Sequence, residues 1–133
     1  MYDIQEHAVF AGAAGLSLNE ERLERIATFV GMGDGNYTDC CEYHITHPEN
    51  FSEDLLRLFR ITPTLVQRWR SAGITFQICL FTREGKLTGG RIIRRKTLPG
   101  DLFSVSYLTD PTRQEIRIAG RILRYLSEKD SKL

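Results

Sequence analysis

Residues 52–73 read SEDLLRLFRITPTLVQRWRSAG, and the arrangement of the rest of the chain turns on this stretch. Ser52 stands where a helix cap would, and Leu55, Leu56, Leu58 and Phe59 form the apolar set of a short helix from Asp54 to Phe59. Thr62-Pro63 restarts the chain as cap and first helical residue, and Gly73 closes the second helix. In that helix Leu65, Val66 and Trp69 share the inward face, while Thr64, Gln67, Arg68 and Ser71 share the outward one. Two helices joined by a tight connection are expected here.

The charge on either side is unequal. Residues 1–59 hold three basic and eleven acidic groups, a net of −8, and residues 60–133 hold fifteen basic and six acidic, a net of +9. Eleven of those fifteen are Arg, the side chain suited to bidentate contact with phosphate or a base edge. Such asymmetry points to an anionic partner for the second half, or to neutralisation within the fold. Size and composition, 133 residues with 41% hydrophobic and 26% charged, fit one soluble domain over 1–133, with a frayed tail from about residue 127. No apolar run reaches the ~18 residues of a membrane span. Three cysteines, Cys40, Cys41 and Cys79, make no disulfide framework, so a reducing, cytoplasmic setting is the expectation. The terminal Ser131-Lys132-Leu133 would be a peroxisomal address in a eukaryote.

Before the central stretch, Ser17-Leu18-Asn19-Glu20 fits a capping box. Leu23, Ile26, Ala27 and Val30 then predict a helix of about three turns, stopped by the glycines of residues 31–36. The G-x-G-x-G run follows a helix rather than a strand, so it reads as a turn and not a phosphate loop. Residues 38–47 suggest a strand ending at Pro48. Cys41, His44 and His47 are weak candidates for a metal, with Cys40 nearby, but a strand would send the two histidines to opposite faces. No cofactor is expected.

After it, residues 75–81 and 86–95 flank Thr82-Arg83-Glu84-Gly85 as a β-hairpin. Gly89-Gly90 marks a bulge or the close approach of another backbone. Arg91, Arg94, Arg95 and Lys96 gather at the strand's far end. Pro99-Gly100-Asp101 is a turn, and Phe103, Val105 and Tyr107 alternate in a third strand. Asp110-Pro111 opens a last helix, with Ile116, Ala119, Ile122, Leu123 and Leu126 on one face and Arg113, Arg117, Arg121 and Arg124 on the other, fraying after Tyr125. The expected fold is α+β: an N-terminal helix, a central helical hairpin, a three-stranded antiparallel sheet and a C-terminal amphipathic helix.

Leu55, Phe59, Ile61, Thr62, Pro63, Val66, Arg68, Trp69 and Gly73 carry a resemblance, over residues 52–95, to helix-turn-helix proteins of the excisionase/MerR-like kind. That resemblance implies major-groove docking by residues 63–72, with Gln67 and Arg68 as readers and the basic hairpin as a wing on the phosphates. It implies a homodimer as well. The chain departs from the pattern at Leu56, where a small residue belongs, and at Arg60, where the turn wants Gly. Arg60 must then take a positive φ at a steric cost or alter the turn. The expectation is a small DNA-binding regulator or accessory factor using Thr64, Gln67, Arg68, Ser71, Arg91, Arg94, Arg95, Lys96 and the four helix arginines. The alternative is a non-enzymatic adaptor, inhibitor or immunity-type module whose charged faces bind a protein. No catalytic constellation is legible.

Overall fold

The computed structural model describes residues 10, 12–32, 40–97, 106–108 and 110–127. Among the described residues the first full helix, α1, spans Glu20–Ile26 and is capped by Asn19, whose side chain accepts from the Arg22 amide. It is two turns long, not three. Ser17 lies in a bridge to Lys86 instead of capping it. Residues Ala27–Met32 leave the helix as strand β1, because Thr28, Phe29 and Val30 are β-branched or aromatic and find a pairing partner. Leu23 and Ile26 do face the core, but Val30 is exposed.

Strand β2, Cys41–Ile45, pairs antiparallel with β1 and with β3, Ile74–Arg83. β3 forms the expected hairpin with β4, Lys86–Thr97, turning through Glu84 and Gly85 at φ 55° and 77°. β5, Ser106–Leu108, adds to the far side of β4. Among the described residues the sheet therefore has five strands in the order β1-β2-β3-β4-β5, not three. The hairpin read as a free wing is its centre, with both outer edges already paired. A stretch so enclosed presents no loose ribbon to a phosphate backbone.

Between β2 and β3 lie a 3-10 turn at Pro48–Asn50 and two helices, α2 at Glu53–Leu58 and α3 at Pro63–Ala72. Ser52 and Thr62 cap them as expected, and Gly73 ends α3 at φ 69°. They do not make a self-contained hairpin, which corrects the expected layout. No residue within α2 is buried, and the hydrophobic cluster that holds this region takes in the sheet and the last helix. That helix, α4, spans Arg113–Ser127. It begins three residues after Asp110, because Thr112 and Glu115 bond reciprocally: the Glu115 amide donates to Thr112 Oγ1 at 3.1 Å, and the Thr112 amide donates to Glu115 Oε1 at 2.9 Å. It also continues past Tyr125.

Side-chain alternation splits the sheet into two faces. Phe76, Ile78, Leu80 and Ile92 enter the cluster with Trp69, Phe59, Ile118, Ile122 and Leu126. Trp69 stacks on Phe76 at 5.4 Å between ring centroids. Gly90 belongs to this face. A Cβ there would sit 2.6 Å from the Phe10 ring and 2.7 Å from the Cys79 carbonyl oxygen, so the glycine permits the close approach foreseen for it. The other face carries Glu42, His44, Cys79, Phe81, Arg91 and Arg95. The glycine run at 33–36, the Pro99-Gly100-Asp101 turn, Phe103, Val105 and the terminal tripeptide lie outside the described residues. No described helix is long and apolar enough to cross a membrane.

Candidate functional site

The turn between α2 and α3 runs Phe59-Arg60-Ile61. Arg60 takes φ 59°, with its amide donating to Arg57 O at 3.1 Å and the Ile61 amide donating to Leu56 O at 2.8 Å. This is the glycine-type helix stop built with an arginine. Leu56, expected to be too large, packs half-buried against the core, and Ile61 is buried beyond the turn. The left-handed conformation costs a non-glycine residue about 1–2 kcal/mol. Strain of this kind concentrates at functional positions.

Arg60 opens onto a cleft of about 700 Å³ between this turn and α4, lined by Leu58, Phe59, Arg60, Arg117, Gly120, Arg121, Arg124 and Tyr125. Four of these residues are arginines and none is acidic. Phe59 and Tyr125 meet edge to face at 5.5 Å in its wall. Tyr125 in turn carries Arg22 4.8 Å over its ring, and its backbone carbonyl accepts from Arg22 at 2.8 Å, which ties α1 to α4. Arg121 is held in place by donating to Phe59 O at 3.0 Å. Burial, then the charges of Arg60, Arg117 and Arg124, pull its guanidinium below the usual arginine range. Like charges held together are what an anion relieves. Because glycine relieves strain at the turn, Arg60→Gly is expected to raise stability by roughly 0.5–1 kcal/mol while weakening anion binding. Urea unfolding and a binding isotherm on the same variant check both signs.

Three residues beyond Arg60, α3 begins. Its outer face brings Pro63, Thr64, Gln67, Arg68 and Ser71 together in a shallow, open depression. All four polar side chains are exposed, as their spacing implies. Ser71 donates to Gln67 O at 2.7 Å, and Gln67 Nε2 donates to Ser71 Oγ at 3.4 Å. The cleft and this face are consecutive along the chain.

The other sequence candidates divide. Arg117, Arg121 and Arg124 meet in the cleft, and Arg113 is exposed but does not line it. Arg91 lies 5.5 Å over the Phe81 ring, on the sheet face away from Trp69 and Phe76. Arg95 and Lys96 are exposed. Arg94 is engaged inside the protein: its Nε lies 3.1 Å from Glu115 Oε1, and the two side chains are only 18% and 2% exposed. Glu115 also accepts from Trp69 Nε1 at 2.8 Å. Arg94 is thus a structural partner and not a phosphate contact. Cys41, His44 and His47 do not converge, since His47 Nδ1 is taken up by Phe76 O at 3.0 Å and Cys41 pairs on the other pleat from His44. Arg60 itself was missed as a site residue, although its place in a glycine position was the signal.

No family model, curated protein or solved structure matches this chain significantly.

Proposed function

We propose that the protein is a small DNA-binding regulator or accessory factor that grips phosphate oxygens in the arginine cleft and lays the outer face of α3 against base edges. The observation that carries this reading is the cleft: four arginines and no acid, poised three residues before a helix whose exposed side chains include Gln and Arg. Arginine forks fit phosphate bidentately, and Gln67 and Arg68 are the types that read adenine and guanine in a major groove. The sequence resemblance to helix-turn-helix proteins supports the same reading for α3, which Thr62 caps and whose outer face is exposed. A homodimer would place two such faces on neighbouring half-sites. Protein binding through the charged faces is the outcome that opposes it.

The test is binding of a randomised duplex pool, followed by salt titration on the selected sequence. Affinity should fall with a log–log slope of roughly −3 to −4 if each cleft arginine displaces one counterion. Arg68→Ala should flatten sequence preference while random duplex is still bound, with about 1–3 kcal/mol of discrimination lost. Absence of duplex binding at ~50 mM salt rejects the reading. Purification with one protein partner that survives nuclease treatment favours the adaptor instead.

A further inference from the structure

The face of the sheet turned away from Trp69 and Phe76 carries a second group of chemical donors that the DNA-binding reading does not use. His44 lies directly opposite Cys79 in the β2–β3 register, and Glu42 is two residues before His44 on the same face. Antiparallel neighbours so placed have side chains within reach of one another. Here a carboxylate oxygen, an imidazole nitrogen and the Cys79 sulfur all lie within 4.8 Å of each other. His44 Nε2 and Glu42 Oε2 are 2.9 Å apart. Cys79 is 1% exposed yet is no member of the main hydrophobic cluster, while the His44 and Glu42 side chains are 34% and 31% exposed. A buried sulfur floors the site, and two half-exposed donors leave an approach from solvent.

We propose that Glu42, His44 and Cys79 form a zinc site, with three protein donors and a fourth position for water or a further ligand. Thiolate, imidazole and carboxylate are the three donor types zinc takes, at about 2.0–2.3 Å. Donors on a tetrahedron of that size are about 3.3–3.8 Å apart. Binding would open the 2.9 Å His44–Glu42 pair and bring the three donors, which lie within 4.8 Å of one another, to those spacings. All three residues sit on paired central strands, so the backbone is already fixed. On binding, the Cys79 thiol proton and any proton on His44 pass to solvent. The thiolate and carboxylate charges then balance the dication. The site differs from the Cys41–His44–His47 set suggested by spacing alone, because strand pairing, not proximity in sequence, selects which groups converge.

The reduced, untagged full chain titrated with Co2+ tests the site, since a sulfur-to-cobalt charge-transfer band requires a thiolate ligand. One Co2+ per chain with that band, displaced by Zn2+, is expected. Cys41→Ser should keep the band and Cys79→Ser should abolish it. Glu42→Gln, at a half-exposed position that tolerates the change, should weaken binding at least 10-fold with the band retained. A wild-type chain without the band, a band that survives Cys79→Ser or vanishes in Cys41→Ser, or an unchanged affinity in Glu42→Gln overturns the proposal.

Discussion

Glu115→Ala is expected to destabilise the protein by about 3–5 kcal/mol, as removal of one partner from a buried ion pair does. Three structures depend on that carboxylate. It accepts from Trp69 Nε1 on α3, pairs with Arg94 on β4, and accepts from the Thr112 amide to start α4. Its loss strands a half-buried guanidinium and a buried indole N–H, and it frees a helix-terminal amide. Glu115→Gln can keep the reciprocal cap through its one carbonyl oxygen but then turns an NH2 toward Trp69 Nε1–H, and it should cost about 1–3 kcal/mol through that lost acceptor and the weakened Arg94 contact. Combining Arg94→Met with Glu115→Gln should cost less than the two singles added, by about 0.5–3 kcal/mol of coupling. Urea unfolding of the four proteins measures this. A loss below about 1 kcal/mol for Glu115→Ala would mean that the carboxylate is replaceable by water.

The second large effect is functional. The triple variant Arg117→Ala, Arg121→Ala, Arg124→Ala should lose roughly 100- to 1,000-fold in duplex affinity near ~0.1 M salt, because each lost phosphate contact removes about one counterion's worth of salt-dependent binding. Its log–log salt slope should fall by about 3, which separates the loss of phosphate contacts from a loss of folded protein. Arg113→Ala is the internal control, being exposed on the same helix but outside the cleft. An equal loss in that variant would assign the effect to net charge and not to the cleft.

What could be read from the residues was mostly local. Caps at Ser52 and Thr62, the stop at Gly73 and the inward set Leu65, Val66 and Trp69 depend on neighbours a few residues away, and all stand in the structure. The hairpin turn was legible for the same reason, though it is confined to Glu84-Gly85, with Thr82 and Arg83 paired in β3. Errors arose where a long-range partner overruled a periodic pattern. Ala27 to Val30 continue a helical spacing, yet antiparallel pairing with Tyr43, His44 and Ile45 draws Ala27 to Phe29 into a strand. At α4 the sequence points to Asp110-Pro111 as the start, whereas the helix begins after Thr112, whose reciprocal cap with Glu115 is held in place by Trp69 and Arg94. The arginine stripe of α4 was visible as a stripe. That Arg60 would join it was not, since nothing in the sequence states that the α2–α3 turn lies against α4.

That last contact has a consequence for assembly. The strands pair in chain order, and the β3–β4 hairpin closes locally, which is fast, while β2 meets β3 across the two intervening helices. The Phe59–Arg121 hydrogen bond instead joins residues 62 apart and waits for the final helix to dock. The cleft therefore exists only once the final helix has docked, and an anion that fills it binds the docked fold alone. At 100 times its dissociation constant such a ligand would add about 2.7 kcal/mol to the stability of the docked state. Recognition and completion of folding would then be one equilibrium, visible as ligand-dependent protection of the α4 amides from hydrogen exchange.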